Sequence, residues 1–336
     1  MQLSIDMEST RTSPRPLIPD VLLLIFSYVS HDDLYACFRV SREWNFVSGI
    51  ALGRTLILRS KGHARRLLGK HSEFWEANQD YVKHLVISFT GVWGALDLSA
   101  PSSPVSDPVH SILTSFPSLS SLSLHGQPVA LCGLLARAVG GGHSFSLLTT
   151  LTTRQWSPAF INYALSFLPG VRCLVAEKTR IVQPALEQML FGSGDELRVP
   201  SSSQKLKVVR VSFEWTHDVA PYVAHALQEF VVAYKESLEK LFLENIEFPH
   251  AGKMLIGLFN EGGWDHLELL TIDSHRYHPD PFFYRLRLGE IKNLKRLEIN
   301  RAADGWNPYR QGALPPALKV FILNGKAVPA RTHELF

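Results

Sequence analysis

A short phrase of three aliphatic positions, spaced aliphatic-x-x-aliphatic-x-aliphatic, returns nine times after residue 80 and constrains this chain more than any other feature. It reads Val82-Leu85-Ile87, Leu119-Leu122-Leu124, Leu148-Leu151-Thr153, Val171-Leu174-Ala176, Leu206-Val209-Val211, Leu238-Leu241-Leu243, Leu267-Leu270-Ile272, Leu294-Leu297-Ile299 and Leu318-Phe321-Leu323, at steps of 23 to 37 residues. In a strand, residues i and i+2 share a face, so the last two positions of each phrase point to one side. An aliphatic-rich chain yields such triplets by chance, so the weight rests on what lies between them. Most intervals carry a helix-period pattern, at 129–139 ahead of Gly140, 160–168, 184–191, 221–234 and 254–259. Within 221–234, Val223, Leu227, Val231 and Tyr234 fall on one face, with Pro221 in the first turn where its missing N–H costs nothing.

No single strand–helix unit of this size buries its own apolar face, so neighbouring units must stack. The alternation predicts an α/β solenoid over residues 53–336: irregular, leucine-rich-repeat-like and right-handed, with a parallel sheet lining its concave side. Leu241 and Leu243 then point inward and Lys240, Phe242 and Glu244 outward. Extended along the chain, the outward row is Ser121, Ser123, His125, Arg210, Ser212, Lys240, Phe242, Glu244, Thr271, Asp273, Arg296, Glu298 and Asn300. It mixes both charge signs with hydroxyls and does not select an acidic or phosphorylated target. Arg210, Lys240, Phe242, Glu244, Arg296 and Glu298 are the candidate substrate-binding residues, with Phe242 as an exposed aromatic anchor. The longer steps predict bulging loops at 99–111 and 192–205. The chain stops at Phe336 soon after its last phrase, without a polar cap, as a short or trimmed solenoid would.

Before residue 50 the pattern differs. From Asp20, the residues Val21, Leu22, Leu24, Ile25, Tyr28 and Val29 recur at three- and four-residue steps and predict a helix. Ser30 and His31 break it; Asp32 is a plausible N-cap for a second helix bearing Leu34, Ala36, Cys37 and Phe38. Ser41 caps a third helix through Trp44, Val47 and Ile50. Three helices this short cannot bury much among themselves, so the module must dock on its own chain or on a partner.

This N-terminal stretch resembles an F-box. The residues are Leu17-Ile18-Pro19-Asp20-Val21-Leu22-Leu23-Leu24-Ile25-Phe26-Ser27-Tyr28-Val29, then Asp33-Leu34, then Arg39-Val40-Ser41-Arg42-Glu43-Trp44. Ile18 stands where the family's first proline is usual, with Pro19 in the next slot, and Asp20 replaces a glutamate; a proline entrance and an acidic first turn are kept. The resemblance implies a three-helix F-box at 16–52 behind a disordered tail at 1–15. It also implies docking on a Skp-family adaptor and, through it, on a cullin, as a substrate-recognition adaptor of a ubiquitin ligase with no catalytic residues of its own. Leu17, Pro19, Leu22, Ile25, Leu34, Val40 and Trp44 are the residues expected at the Skp adaptor, with Trp44 as the hot spot. The region that follows resembles the divergent leucine-rich solenoids of fungal F-box proteins, and would present an unidentified protein substrate. An F-box scaffold that recruits no cullin, a solenoid whose first helices are only a cap, and an unrecognised hydrolase are the other readings.

Composition excludes several classes. The chain has 336 residues, 46% hydrophobic and 19% charged, enough to bury a core. Its formal net charge of +3, from 34 Lys and Arg against 31 Asp and Glu, lacks the basic excess of a nucleic-acid binder. The longest aliphatic run, Val21 to Val29, falls short of the ~20 residues a membrane span needs. Cys37, Cys132 and Cys173 lie too far apart for a disulfide framework or a Cys-rich zinc site, which with no visible signal peptide points to the cytoplasm or nucleus. Gly140-Gly141-Gly142 lacks the Gly-Lys-Ser/Thr of a phosphate loop, and Gly192-Ser193-Gly194 lacks the spacing of a nucleophile elbow. His275, His278 and Asp280 read as solvated loop residues rather than as metal ligands. Lys61, Arg65, Arg66 and Lys70 read as the wet face of a helix whose dry face holds Leu67 and Leu68. No cofactor or metal is expected.

Overall fold

The computed structural model describes residues 19–26, 29, 31–37, 39–70, 72–73, 76, 79–89, 107–179, 205–213, 228–246, 250–260, 262–278, 286–302 and 314–328. The chain divides into two compact units, Met1–Leu56 and Ile57–Phe336.

In the first unit lie α1 (Pro19–Phe26), α2 (His31–Cys37) and α3 (Arg42–Gly53). Pro19 occupies the first position of α1, where its fixed φ suits the helix. Ser41 caps α3: its backbone is extended and its Oγ accepts the Trp44 N–H at 3.2 Å, with Glu43 in the first turn favouring the helix dipole. Leu22 and Phe26, one turn apart on α1, meet Leu34 and Val47 in a small buried core, and Val29, Cys37, Trp44, Ala51 and Leu52 pack around it.

The second unit is built on a sheet of eleven strands whose spatial order is the sequence order. The strands are β1 (Thr55–Leu58), which crosses the boundary between the units, β2 (His84–Ser88), β3 (Ser121–His125), β4 (Thr150–Arg154), β5 (Cys173–Thr179) and β6 (Val208–Phe213). They continue with β7 (Lys240–Ile246), β8 (Leu269–His278), β9 (Arg296–Ala302), β10 (Val320–Leu323) and β11 (Lys326–Val328). β2 to β10 pair in parallel, and β11 turns back antiparallel on β10. The helices are α4 (Lys61–Leu68), α5 (Pro108–Thr114), α6 (Pro128–Gly140), α7 (Pro158–Ser166) and α8 (His250–Asn260). Three of them, α5 to α7, open on proline, which replaces an N–H that would have had no partner. This is an α/β fold with a long, mostly parallel sheet, an arrangement compatible with a solenoid.

The register explains the recurring phrase. Leu85, Leu122, Leu151, Leu174, Val209, Leu241, Leu270, Leu297 and Phe321 align as one row across the sheet. Ile87, Leu124, Thr153, Ala176, Val211, Leu243, Ile272, Ile299 and Leu323 form the next. Every side chain of both rows is buried except Leu323, and the first position of each phrase is buried as well. Each buried leucine contributes about 1.5–3 kcal/mol relative to exposure, and none could do so without the strands on either side. The turn ahead of each strand is tied to its predecessor. The Lys83 carbonyl accepts the Ser120 and Ser121 N–H groups, the Ser120 carbonyl those of Thr149 and Thr150, and the Thr149 carbonyl those of Arg172 and Cys173.

Several expectations need correction. Residues 107–111 are not loop: Asp107 caps α5, its carboxylate accepting the Val109 N–H at 3.1 Å, because Asp-Pro makes a helix entrance rather than a bulge. β8 runs on through His278, so His275 and His278 lie on a strand. Helix begins at His31, one residue before the expected cap Asp32. Of the 221–234 pattern, residues 228–232 are helical and Tyr234 sits in the following turn, still buried. Residues 99–106, 184–191, 192–204 and 221–227, together with Asp280, lie outside the described residues.

Candidate protein-interaction surfaces

The first surface belongs to the three N-terminal helices. With Leu22 and Phe26 turned into the core, the neighbouring flank of α1 carries Val21 and Ile25, again one turn apart, and these stand 40% and 42% exposed. Val40, in the turn before α3, is 61% exposed, and Phe46 on α3 is 66% exposed. Trp44 is half-buried, its ring edge-to-face with Phe26 at 5.2 Å between centroids, so one side supports the core while another remains open. The Ser48 hydroxyl donates to the Trp44 carbonyl and fixes the turn beneath. Val21, Ile25, Val40 and Phe46 are thus four exposed large apolar side chains on one module of three short helices, and they make it the candidate interaction surface.

Of the residues expected there, Ile25 and Val40 are exposed and Trp44 is partly so. Leu22 and Leu34 are instead buried in the core of the module, so they hold the helices together rather than offer surface. Pro19 is placed at the start of α1, and Leu17 lies outside the described residues. The sequence reading missed Val21 and Phe46; a helical projection centred on Leu22 and Phe26 would have shown Val21 on the uncovered flank.

Residues 19–57 match the F-box-like family. The chain carries an F-box-like domain. Its segment covers all three helices and reaches into β1, and it points to a protein-interaction role of the kind that ubiquitin-ligase adaptors play. No curated protein matches the chain significantly.

The second surface is the outer face of the sheet, opposite the two buried rows. On β6 to β9 it is charged and internally paired. Arg210 Nε lies 3.2 Å from Glu244 Oε1, Arg296 Nη2 3.3 Å from Glu298 Oε2, and Arg301 Nε 3.8 Å from Asp273 Oδ1. The Arg210 guanidinium also sits 4.7 Å above the Phe242 ring, so Phe242 is half-covered rather than a free anchor. Asn300 Nδ2 donates to Glu298 Oε1 at 3.1 Å. The six candidate substrate residues therefore lie on three strands, β6, β7 and β9, with Lys240 exposed at the start of β7.

On β2 to β5 the same face is rich in hydroxyls: Ser88, Ser121, Ser123, Thr150 and Thr152, with Cys173 beside them. His125, Arg154 and Glu177 align across β3 to β5 at its C-terminal edge. Burial holds the His125 imidazole below its ordinary value, with Glu177 opposing and Arg154 reinforcing the shift. Burial pushes the Cys173 thiol up, against the pull of Arg210 and Lys240. Beyond this edge the chain turns through left-handed residues, Gln155, Lys178, Asn245 and Arg301, at equivalent steps of their strands. Asn245 suits that conformation, and its Nδ2 donates to the Phe213 carbonyl at 2.6 Å.

Among the described residues no group of three or more His, Cys, Asp or Glu could hold a metal ion, and no helix is long and apolar enough to cross a membrane. Gly140 to Gly142 close α6, with Gly141 as its C-cap and Gly142 at φ +88°, as helix ends often do.

Proposed function

We propose that this protein is the substrate-recognition adaptor of a Skp–cullin–F-box ubiquitin ligase. The N-terminal helices bind a Skp-family adaptor through Val21, Ile25, Val40, Trp44 and Phe46. A leucine-rich-repeat-like solenoid presents the outer face of the sheet, as its concave side, to a target protein. The protein contributes no catalysis; it raises the concentration of the target beside a ubiquitin-conjugating enzyme. The reading is supported most by one observation: a module matching the F-box-like family leaves aliphatic and aromatic side chains uncovered on one small set of helices. Apolar burial yields about 25 cal/mol per Å² before the costs of association, so a handful of such anchors suffices for a stable complex. All three cysteines are free thiols, in keeping with a cytoplasmic or nuclear protein.

Co-purification tests this reading. The wild-type chain is expected to retain a Skp-family adaptor, and Ile25→Ala combined with Val40→Ala to lose it at unchanged thermal stability. Retention by the double variant would contradict the reading. A cullin recovered in the same complex separates a ligase subunit from a scaffold.

A further inference from the structure

Between Glu43 and Glu73 the chain has no acidic residue, and it carries six cations there: Arg54, Arg59, Lys61, Arg65, Arg66 and Lys70. Five of them lie on or beside α4, within the second unit. Elsewhere on the molecule arginines and lysines are commonly paired, as Arg137 is to Asp107, Lys207 to Glu239 and Arg210 to Glu244. Arg59, Arg65, Arg66 and Lys70 make no ion pair among the described residues and are all exposed.

The helix holds these charges in a fixed array. Ser60 caps it, accepting the His63 N–H at 3.0 Å, and Ala64 is buried on its inner side with Leu67 and Leu68 partly covered. Arg65 and Arg66 therefore face outward from the middle of the helix. Gly62 and Gly69 lie one turn to either side, and neither places a side chain against the arginines. An exposed glycine inside a helix costs about 0.5–1 kcal/mol against alanine, and like charges at neighbouring positions add to that cost. The concentrated positive field is felt by His63, whose imidazole is held below its ordinary value by burial first and then by Arg66 and Arg59.

We propose that the outer face of α4, through Arg59, Arg65, Arg66 and Lys70, is a docking site for a peptide segment rich in oxyanions, either carboxylates or phosphoserines, on a protein partner. Guanidinium groups are suited to such groups because their planar fork pairs bidentately with carboxylate or phosphate. Two other anionic partners fit less well. An anionic membrane surface would hold these charges at only about 1 kcal/mol each, with no second anchor, because the buried Ala64 and the partly covered Leu67 and Leu68 of α4 are not free to insert. A duplex needs a far wider basic footprint than one eight-residue helix, ~12 Å long, provides. The α4 charges belong to the second unit and the exposed apolar side chains of α1 and α3 to the first, and the proposal does not depend on what the latter bind.

Fluorescence anisotropy on the full chain at low and at physiological salt tests it, with three labelled ten-residue peptides: one of Asp and Glu, one with phosphoserines, and a neutral scramble. The expected result is salt-sensitive binding of one or both acidic peptides, weakened at least tenfold in Arg65→Gln/Arg66→Gln and left within twofold by Arg287→Gln, an exposed cation paired to Glu290 and assigned to no binding surface. The stronger of the two acidic peptides names the source of the oxyanions. The NMR titration of His63 should move to higher pH when the peptide is bound. Should the Arg65/Arg66 variant melt early, Arg59→Gln/Lys70→Gln serves in its place. Absence of acidic-peptide binding, binding unchanged by both variants, or tighter binding of duplex DNA or of phosphatidylserine vesicles would overturn the proposal.

Discussion

On α1, Leu22 and Phe26 are sealed in the module's core while Val21 and Ile25, on the adjoining flank of the same helix, stand open to solvent. On β7, Leu241 and Leu243 are sealed likewise, but the side chain between them, Phe242, lies beneath the Arg210 guanidinium, whose Nε reaches Glu244. The two units thus spend their surplus side chains differently. In the sheet unit, what is not buried is mostly polar and much of it is paired. In the helical unit, Val21, Ile25, Val40 and Phe46 are exposed apolar side chains that stand among polar neighbours such as Arg39, Arg42 and Glu43. Surface of the second kind gains the full hydrophobic free energy only when another molecule arrives, whereas surface of the first kind favours recognition by exchange of polar partners.

The largest effect that separates the two classes of aliphatic side chain is on stability. Leu241→Ala should cost about 2.7–5 kcal/mol by opening a cavity in the inward row. Ile25→Ala should cost less than about 0.5 kcal/mol because its side chain is already wet. Urea unfolding of the two variants checks this, and equal losses would erase the distinction. A smaller effect is expected at the edge of the outer face. Asn245→Ala should lose the bond to Phe213 and a further ~1–2 kcal/mol, since alanine is strained at the left-handed φ of 58° that asparagine tolerates. Asn245→Gly should keep the backbone geometry while losing the bond to Phe213, about 0.5–1.5 kcal/mol.

Thiol chemistry sharpens the contrast between inner and outer positions. Burial pushes the Cys132 thiol up to about 12, and its Sγ contacts the Phe160 carbonyl at 3.7 Å. Alkylation of the native chain at pH 8 should therefore leave Cys132 unmodified while Cys173, on the outer face, reacts. A target seated on that face should slow Cys173. The smallest expected effect is on pH dependence. The folded-state value of His125 is lowered, so the unfolded chain binds the proton more readily. The stability this contributes is present above about 6.5 and is lost as pH falls through the folded-state value. His63 and His143 are lowered in the same direction. Melting temperature should accordingly fall between pH 7 and pH 5, and fall less in His125→Gln.

Much of the fold was legible because register is written in side-chain size. Strands that stack in sequence order must each offer inward residues at the same two positions, so Leu151, Leu174 and Leu241 could be matched before their strands were seen. The same logic placed Ser41 at the entrance of α3, because a serine followed by an acidic first turn is a local signal that needs no tertiary context. The antiparallel return of β11 was missed, since Lys326, Ala327 and Val328 carry no phrase and depend on the Asn324-Gly325 turn. The division of the α1 and α2 leucines into core and surface was also hidden. A motif tells which positions are apolar but not which flank of a two-turn helix its neighbours cover, and so Leu22 and Leu34 were placed at the partner and Val21 and Phe46 were not.

Oxidative footprinting of the full chain with and without a purified Skp-family adaptor tests the central claim most directly, because it reads side chains one by one. Ile25, Val40, Trp44 and Phe46 should lose reactivity on binding while Phe242 keeps its own. Unchanged reactivity at those four positions, or protection centred on Phe242 instead, would contradict it.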